Sequence, residues 1–276
     1  MPSVFQIKSF FSFYFKARTK YSVHSPLVSD FIKEVMDTSK DFYADYDLES
    51  LRTHLKKDAQ LIETTDLGAG SMVYNSNRKT IAQIAKSSLS SKWQCKIMFN
   101  LVNYLKLHKI LELGTSLGLS TLYLSKANGR AEIVTIEGDP KVAQVALKNF
   151  ENLGANNIEL VTGHFDEVLS EMDTTKQYDL IFVDGNHTEE ATIKYFKILF
   201  DRLSSKGVMV FDDIYWSPGM LNAWENIKTT GRHDLSIDLY YFGMIFKNAG
   251  LQQKQDFKIL PYKWKPFDLG FFPKKQ

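Results

Sequence analysis

Ile110-Leu111-Glu112-Leu113-Gly114-Thr115-Ser116-Leu117-Gly118-Leu119-Ser120 is the stretch on which the fold turns. Four mainly apolar residues are followed by two glycines four apart, and then by a helical pattern reaching Leu124. A short apolar run that meets glycine and opens a helix reads as a buried strand turning into a helix. The same alternation continues downstream. Strands are expected over 131–136, ending in Glu137, over 158–161, ending at Gly163, over 178–183, ending at Asp184, and over 207–211, ending at Asp212-Asp213. Helices are expected between them at 140–153 and 190–203. Strands alternating with helices imply an α/β fold around a parallel sheet with right-handed crossovers. The alternating run 236–246 and the shorter 256–260 read as a terminal hairpin.

Upstream the character changes. Phe5, Phe10, Phe11, Phe13, Tyr14, Phe15 and Tyr21 are interleaved with Lys8, Lys16, Arg18 and Lys20, and no acid precedes Asp30. Such a segment can lie on an anionic membrane surface. It can equally pack its aromatic face on the main domain or on a second subunit while its basic face stays solvated, and this second reading is preferred. Helices are expected at 26–36, around Leu48, Leu51 and Leu55, at 79–87 and at 92–107. The glycine-rich run 67–71 follows polar residues rather than an apolar strand, so it reads as a loop, with 68–78 a candidate lid.

The composition is that of an ordinary globular chain. It has 276 residues, 44% hydrophobic and 24% charged, with a net charge of +2 from 34 basic and 32 acidic residues. This balance excludes a chain-wide nucleic-acid footprint. The single cysteine, Cys95, excludes an intrachain disulfide and a cysteine-based zinc site. With no apolar run of about 18 residues and no signal-peptide pattern, the expected location is cytoplasmic.

In an open α/β sheet, ligands bind outside the carboxyl ends of the strands, where every feature above falls. Gly114 and Gly118 let a ligand approach the backbone at a helix N-terminus. Glu137 can accept both hydroxyls of a ribose. Both suit an adenosine-containing cofactor. A dinucleotide loop would need glycine where Ser116 stands, so an NAD-type oxidoreductase is the weaker alternative.

The run Glu112 to Ser120 resembles motif I of class I S-adenosylmethionine (SAM)-dependent methyltransferases. Glu137-Gly138-Asp139, Gly163-His164-Phe165-Asp166 and Val183-Asp184-Gly185-Asn186-His187 follow in the family's order. Within it the chain looks like the O-methyltransferase branch, of the catechol type and its Asp-Gly-x-His relatives. The resemblance implies a Rossmann-like seven-stranded sheet, parallel with one antiparallel terminal strand, helices on both faces and a helical N-terminal extension. It implies a helical region at 1–91, a methyltransferase domain at 92–262 and a tail at 263–276.

For the cofactor it implies that Glu112 orients the loop or the methionine amino group, that Gly114 and Ser116 approach the methionine part, and that Ser120 binds its carboxylate. Glu137 would hold the ribose, and Phe165 and Asp166 would border the adenine. Gly118, Gly138 and Gly163 complete that set, and Asp184 would lie near the reaction centre. Asp184, Asp212 and Asp213 would offer oxygen ligands for Mg²⁺. His187 stands where the catechol type has its catalytic Lys, and would serve as base with Asp184 and Asp213 beside it. The expected reaction is methyl transfer to an oxygen of a small molecule. The rivals are the oxidoreductase and a non-catalytic SAM-binding or interaction protein, with RNA methylation a weak third. The aromatic loop 214–220 is expected at the cleft mouth, and a homodimer through the N-terminus is a candidate assembly.

Overall fold

In the computed structural model of the chain, residues 2–65 and 78–266 are described. Two helices come first, α1 (Val4–Lys16) and α2 (Pro26–Glu34). The chain then divides into two compact units, residues 38–186 on one hand and 1–37 with 187–276 on the other.

The unit 38–186 contains α3 (Tyr43–Leu55), a small antiparallel pair β1 (Leu61–Glu63) and β2 (Arg78–Thr80), α4 (Ile81–Ser88) and α5 (Lys92–Leu105). After these come β3 (Lys109–Leu113), α6 (Leu119–Ala127), β4 (Glu132–Glu137), α7 (Pro140–Asn152), β5 (Ile158–Thr162), α8 (Phe165–Glu171) and β6 (Tyr178–Val183). Its four large strands are all parallel, in the order β6-β3-β4-β5. Their observed ends lie within a residue or two of those expected. Burial on both faces explains why β3, β4 and β6 read as mainly apolar runs rather than alternating ones, whereas β5, at the end of this strand order, is only partly buried.

The core of this unit has two parts. Leu122, Tyr123, Phe99 and Phe150 gather around α5 and α6, and Leu55, Ile81, Ile84 and Leu117 around α4. Each fully buried large apolar side chain contributes about 1.5–3 kcal/mol. A buried polar network fixes α3: Glu49 accepts from the Tyr123 hydroxyl and from Arg52 Nε, both at 2.8 Å, while Arg52 Nη2 donates to Cys95 Sγ at 3.3 Å. Burial pushes the Cys95 thiol up to about 12, which leaves it unreactive.

The second unit contains α1 and α2, α9 (Glu189–Leu199), β7 (Leu203–Asp212), α10 (Pro218–Thr229), β8 (Leu235–Asp238), β9 (Phe242–Phe246) and β10 (Gln255–Lys258). Its strand order is β10-β8-β9-β7; β9 runs antiparallel to both neighbours, and β10 lies parallel on β8. The hairpin therefore closes inside the run expected to be one strand. Leu239 N donates to Phe242 O at 2.8 Å, and Tyr240, at φ +73°, donates its amide to Asp238 Oδ1. That split adds one strand to the seven expected, and β10, expected as the other arm of the hairpin, pairs with β8 instead. It is held by Ser236 donating to Asp256 and by a Lys258–Asp238 ion pair at 3.1 Å. Trp224 of α10 is fully buried, and a side-chain carbon at Gly243 would meet its ring at 2.7 Å.

Helices α1, α4 and α5 begin with the same reciprocal cap. Ser3, Thr80 and Ser91 accept from the backbone of Gln6, Gln83 and Gln94, whose side chains return the bond to the cap's own amide. The glycine-rich run 67–71, and with it most of the candidate lid, lies outside the described residues.

Candidate active site

The loop leaving β3 coils tightly because three of its residues sit at positive φ: Gly114 (+103°), Ser116 (+48°) and Gly118 (+81°). Glycine is required at the first and third. A side-chain carbon at Gly114 would lie 1.9 Å from the Asp184 carbonyl oxygen, and one at Gly118 would lie 2.5 Å from the Phe150 ring. Asn149 Nδ2 holds the loop by donating to Leu117 O at 2.9 Å. Gly118 caps α6 without any side-chain bond, so the helix start presents bare backbone.

Glu112 lies beneath this loop with no solvent exposure. It accepts from Ser120 Oγ and Thr135 Oγ1, both at 2.7 Å, and from Thr121 Oγ1. Burial lifts its carboxyl to about 7, against the pull of the three hydroxyls. Glu112 thus ties the start of α6 to β3 and β4 through three hydroxyls, and Ser120, expected on the methionine carboxylate, has its hydroxyl on Glu112. Thr121 and Thr135 were not anticipated. The signal for Thr135 was a hydroxyl inside the apolar run 133–136, directly across the ladder from Glu112.

Glu137, at the end of β4, is held by backbone. Its Oε2 accepts from Ser116 N at 2.7 Å and its Oε1 from Asp139 N at 2.9 Å. Burial raises its carboxyl, while the amides of Asp139, Ser116 and Gly138 pull it down. Each carboxylate oxygen keeps a lone pair beyond the one so engaged. Asp139 caps α7 and also accepts from Thr65 N at 2.6 Å. Gly163 N donates to Glu137 O at 3.0 Å, and Asp184 N to Leu113 O at 2.8 Å. The Phe165 ring lies so close to Gly185 that a side chain there would meet it at 2.7 Å. Asp166 N donates to His164 Nδ1 at 3.3 Å, which makes His164 a helix cap. Gly114, Ser116, Gly118, Glu137, Gly138, Gly163, Phe165, Asp166 and Asp184 therefore all stand at the carboxyl ends of four adjacent parallel strands.

In the other unit, His187 and Asp213 form an interacting pair. Burial lowers the basicity of the His187 imidazole and raises the Asp213 carboxyl, and each charge opposes that effect on the other. Asp213 takes the left-handed conformation at the end of β7, at φ +55°. Asp212 is buried opposite Phe242 of β9. Among the described residues, no group of three or more His, Cys, Asp or Glu side chains is placed to hold a metal ion. In the loop 214–220, Ile214, Tyr215 and Met220 are core, and Trp216 is exposed.

A family model described as a methyltransferase domain matches residues 111–214, the span from β3 to the turn after β7. Over that span the chain is similar to the methyltransferase domain family. Two curated relatives are catechol O-methyltransferases. That of Mycobacterium tuberculosis is 30% identical over 149 residues, covering 53% of this chain and 64% of the relative. That of Niastella koreensis is 32% identical over 126 residues, covering 44% of this chain and 55% of the relative. The chain thus spans less than two thirds of either relative's length. A solved O-methyltransferase from Bacillus cereus in complex with S-adenosylhomocysteine (SAH) shares the fold, at TM-score 0.52 and 20% identity, over 79% of this chain and 95% of that one. The likeness to that structure shows a Rossmann-like α/β fold, with helices preceding the parallel strands.

Proposed function

We propose that this chain is a SAM-dependent methyltransferase acting on an oxygen of a small molecule. The observation that carries the reading is the fixed carboxylate of Glu137 beside the left-handed loop 114–118. Two amides set its rotamer, and its remaining lone pairs suit a vicinal diol such as ribose. The residues present fit the cofactor. Glu137 would hold the ribose, the backbone at Gly114 and Ser116 would border the methionine part, and the bare start of α6 would face its carboxylate in place of Ser120. Phe165 and Asp166 would border the adenine, and Asp184 would lie by the amino group. When bound, SAM supplies a methyl group on an electrophilic sulfonium.

The chain's own task is then orientation and removal of the acceptor's proton. His187, three residues after Asp184 in sequence, is assigned as the base. Depressed basicity keeps its imidazole neutral at neutral pH, ready to take the hydroxyl proton, and Asp213 stabilises the imidazolium that results. Mg²⁺ at Asp184, Asp212 and Asp213, which the resemblance implies, is not part of this route.

Calorimetric titration with SAH tests the reading. Saturable binding at about micromolar Kd is expected, with a loss of at least about tenfold in Glu137→Ala, equivalent to roughly 1.4 kcal/mol. Absence of binding, or equal binding by the variant, would overturn it. Treatment with EDTA should leave both SAH binding and methyl transfer within about twofold; stronger loss would restore a metal role.

A further inference from the structure

Helix α1 has two apolar faces. One is fully used: Phe13 is buried against Tyr215 and Tyr240, at 5.9 and 5.5 Å between ring centres, and Phe10 sits edge-on to Tyr240 at 5.2 Å. The helix is also tied down by hydrogen bonds. Tyr240 Oη donates to Gln6 O at 2.9 Å, Tyr14 Oη to Trp264 O at 3.0 Å, and Lys265 Nζ to Ala17 O at 2.9 Å. The other face is left to solvent. Val4, Ile7, Phe11 and Phe15 are 70%, 46%, 54% and 65% exposed, and their spacing puts them in one stripe. At about 1.5 Å per residue the 13-residue helix is roughly 20 Å long, so the stripe runs its whole length. Lys8 borders the stripe, Lys16 lies on the flank between it and the buried Ser9, and Arg18 and Lys20 follow the helix end. No acidic residue occurs before Asp30. Trp264, 44% exposed, stands near the stripe through its contact with Phe10.

We propose that this face of α1 docks on an anionic lipid surface, with Phe11 and Phe15 entering the headgroup boundary and the lysines meeting lipid phosphates and carboxylates. An apolar stripe edged by lysines, with a tryptophan nearby, is the pattern of an interfacial helix. Because α1 is bolted to its unit, the stripe is held outward and needs no ordering before contact. Charge selects lipid over a second copy of the chain. An isologous contact would pair the stripe with itself and set Lys8, Lys16 and Lys20 against their own like charges. The contact is peripheral, since among the described residues no helix is long and apolar enough to cross a membrane.

The test is co-sedimentation of the full chain with phosphatidylcholine vesicles containing about a third phosphatidylserine, and with phosphatidylcholine alone. The expected result is binding to the anionic vesicles, weakened by high salt, and little binding to the neutral ones. Phe11→Ser/Phe15→Ser should abolish it, and the four exposed positions leave the fold untouched, which an unchanged thermal melt verifies. Lys8→Glu/Lys16→Glu should weaken partitioning by at least about 25-fold, at about fivefold per basic residue lost near the surface. Wild-type protein left in the supernatant at high anionic lipid would overturn the proposal. So would variants that sediment like wild type. A dimer in sedimentation equilibrium, dissolved by the phenylalanine pair and unaccompanied by vesicle binding, would assign the stripe to a second copy and overturn it too.

Discussion

One carboxylate and one imidazole carry most of the testable electrostatics. Glu112 has its carboxyl raised from 4.5 to about 7 by burial. The folded state therefore holds its proton more tightly than the unfolded one. Stability from this group is complete below about pH 4.5 and is lost as pH rises through about 7. Glu112→Gln removes that dependence, so the gap in urea midpoint between wild type and variant should change across this window and stay flat above it. A constant gap from pH 4 to pH 8 would show that the carboxyl titrates normally. His187 is displaced the other way, its basicity lowered by burial. As a base it must be neutral, so the acid limb of kcat/KM should fall below pH 6.5. His187→Ala should keep SAH affinity while turnover drops by about 10²–10⁴-fold. Full turnover in that variant would remove His187 from the chemistry.

Among elements, the loop after β3 is the most constrained. Gly114→Ala must place a carbon 1.9 Å from the Asp184 carbonyl, at a φ that alanine resists. Either the end of β6 moves or the loop does. We expect a loss of about 1–3 kcal/mol in stability from strain, together with loss of SAH binding, read by thermal melting and calorimetry. The strands β3, β4 and β6 were legible in the sequence because burial on both faces forces apolar runs, and these, like the less buried β5, ended at a glycine or an acid. The hairpin of β8 and β9 was not, because its turn is made by Asp238 and the left-handed Tyr240 rather than by Asn-Gly chemistry. Strand β10 was read as part of that hairpin; its partner is set by side chains, Asp256 with Ser236 and Lys258 with Asp238, which a single strand pattern does not announce. Glu137 could be placed from the sequence, but the amides that fix it belong to a loop conformation that only three dimensions supply.

At the scale of the molecule, the sequence named the chemistry of the strand ends but not how the chain is shared out. Residues 1–37 belong to one compact unit with the C-terminal third, joined where Arg18 donates to Lys258 O at 2.7 Å and Leu260 donates back to Arg18 O. No pattern in residues 17–20 predicts that bridge, since it is made by backbone alone. The same scale decides how the protein meets acid. Of the described helices, α1, α4 and α5 begin on hydroxyls locked by glutamine, an amide with no proton to gain in that range, whereas α7 begins on the carboxylate of Asp139. Falling pH therefore leaves the starts of these three helices chemically unchanged, and the protection of their first turns, followed residue by residue through amide exchange, should be the same in mild acid as at neutral pH.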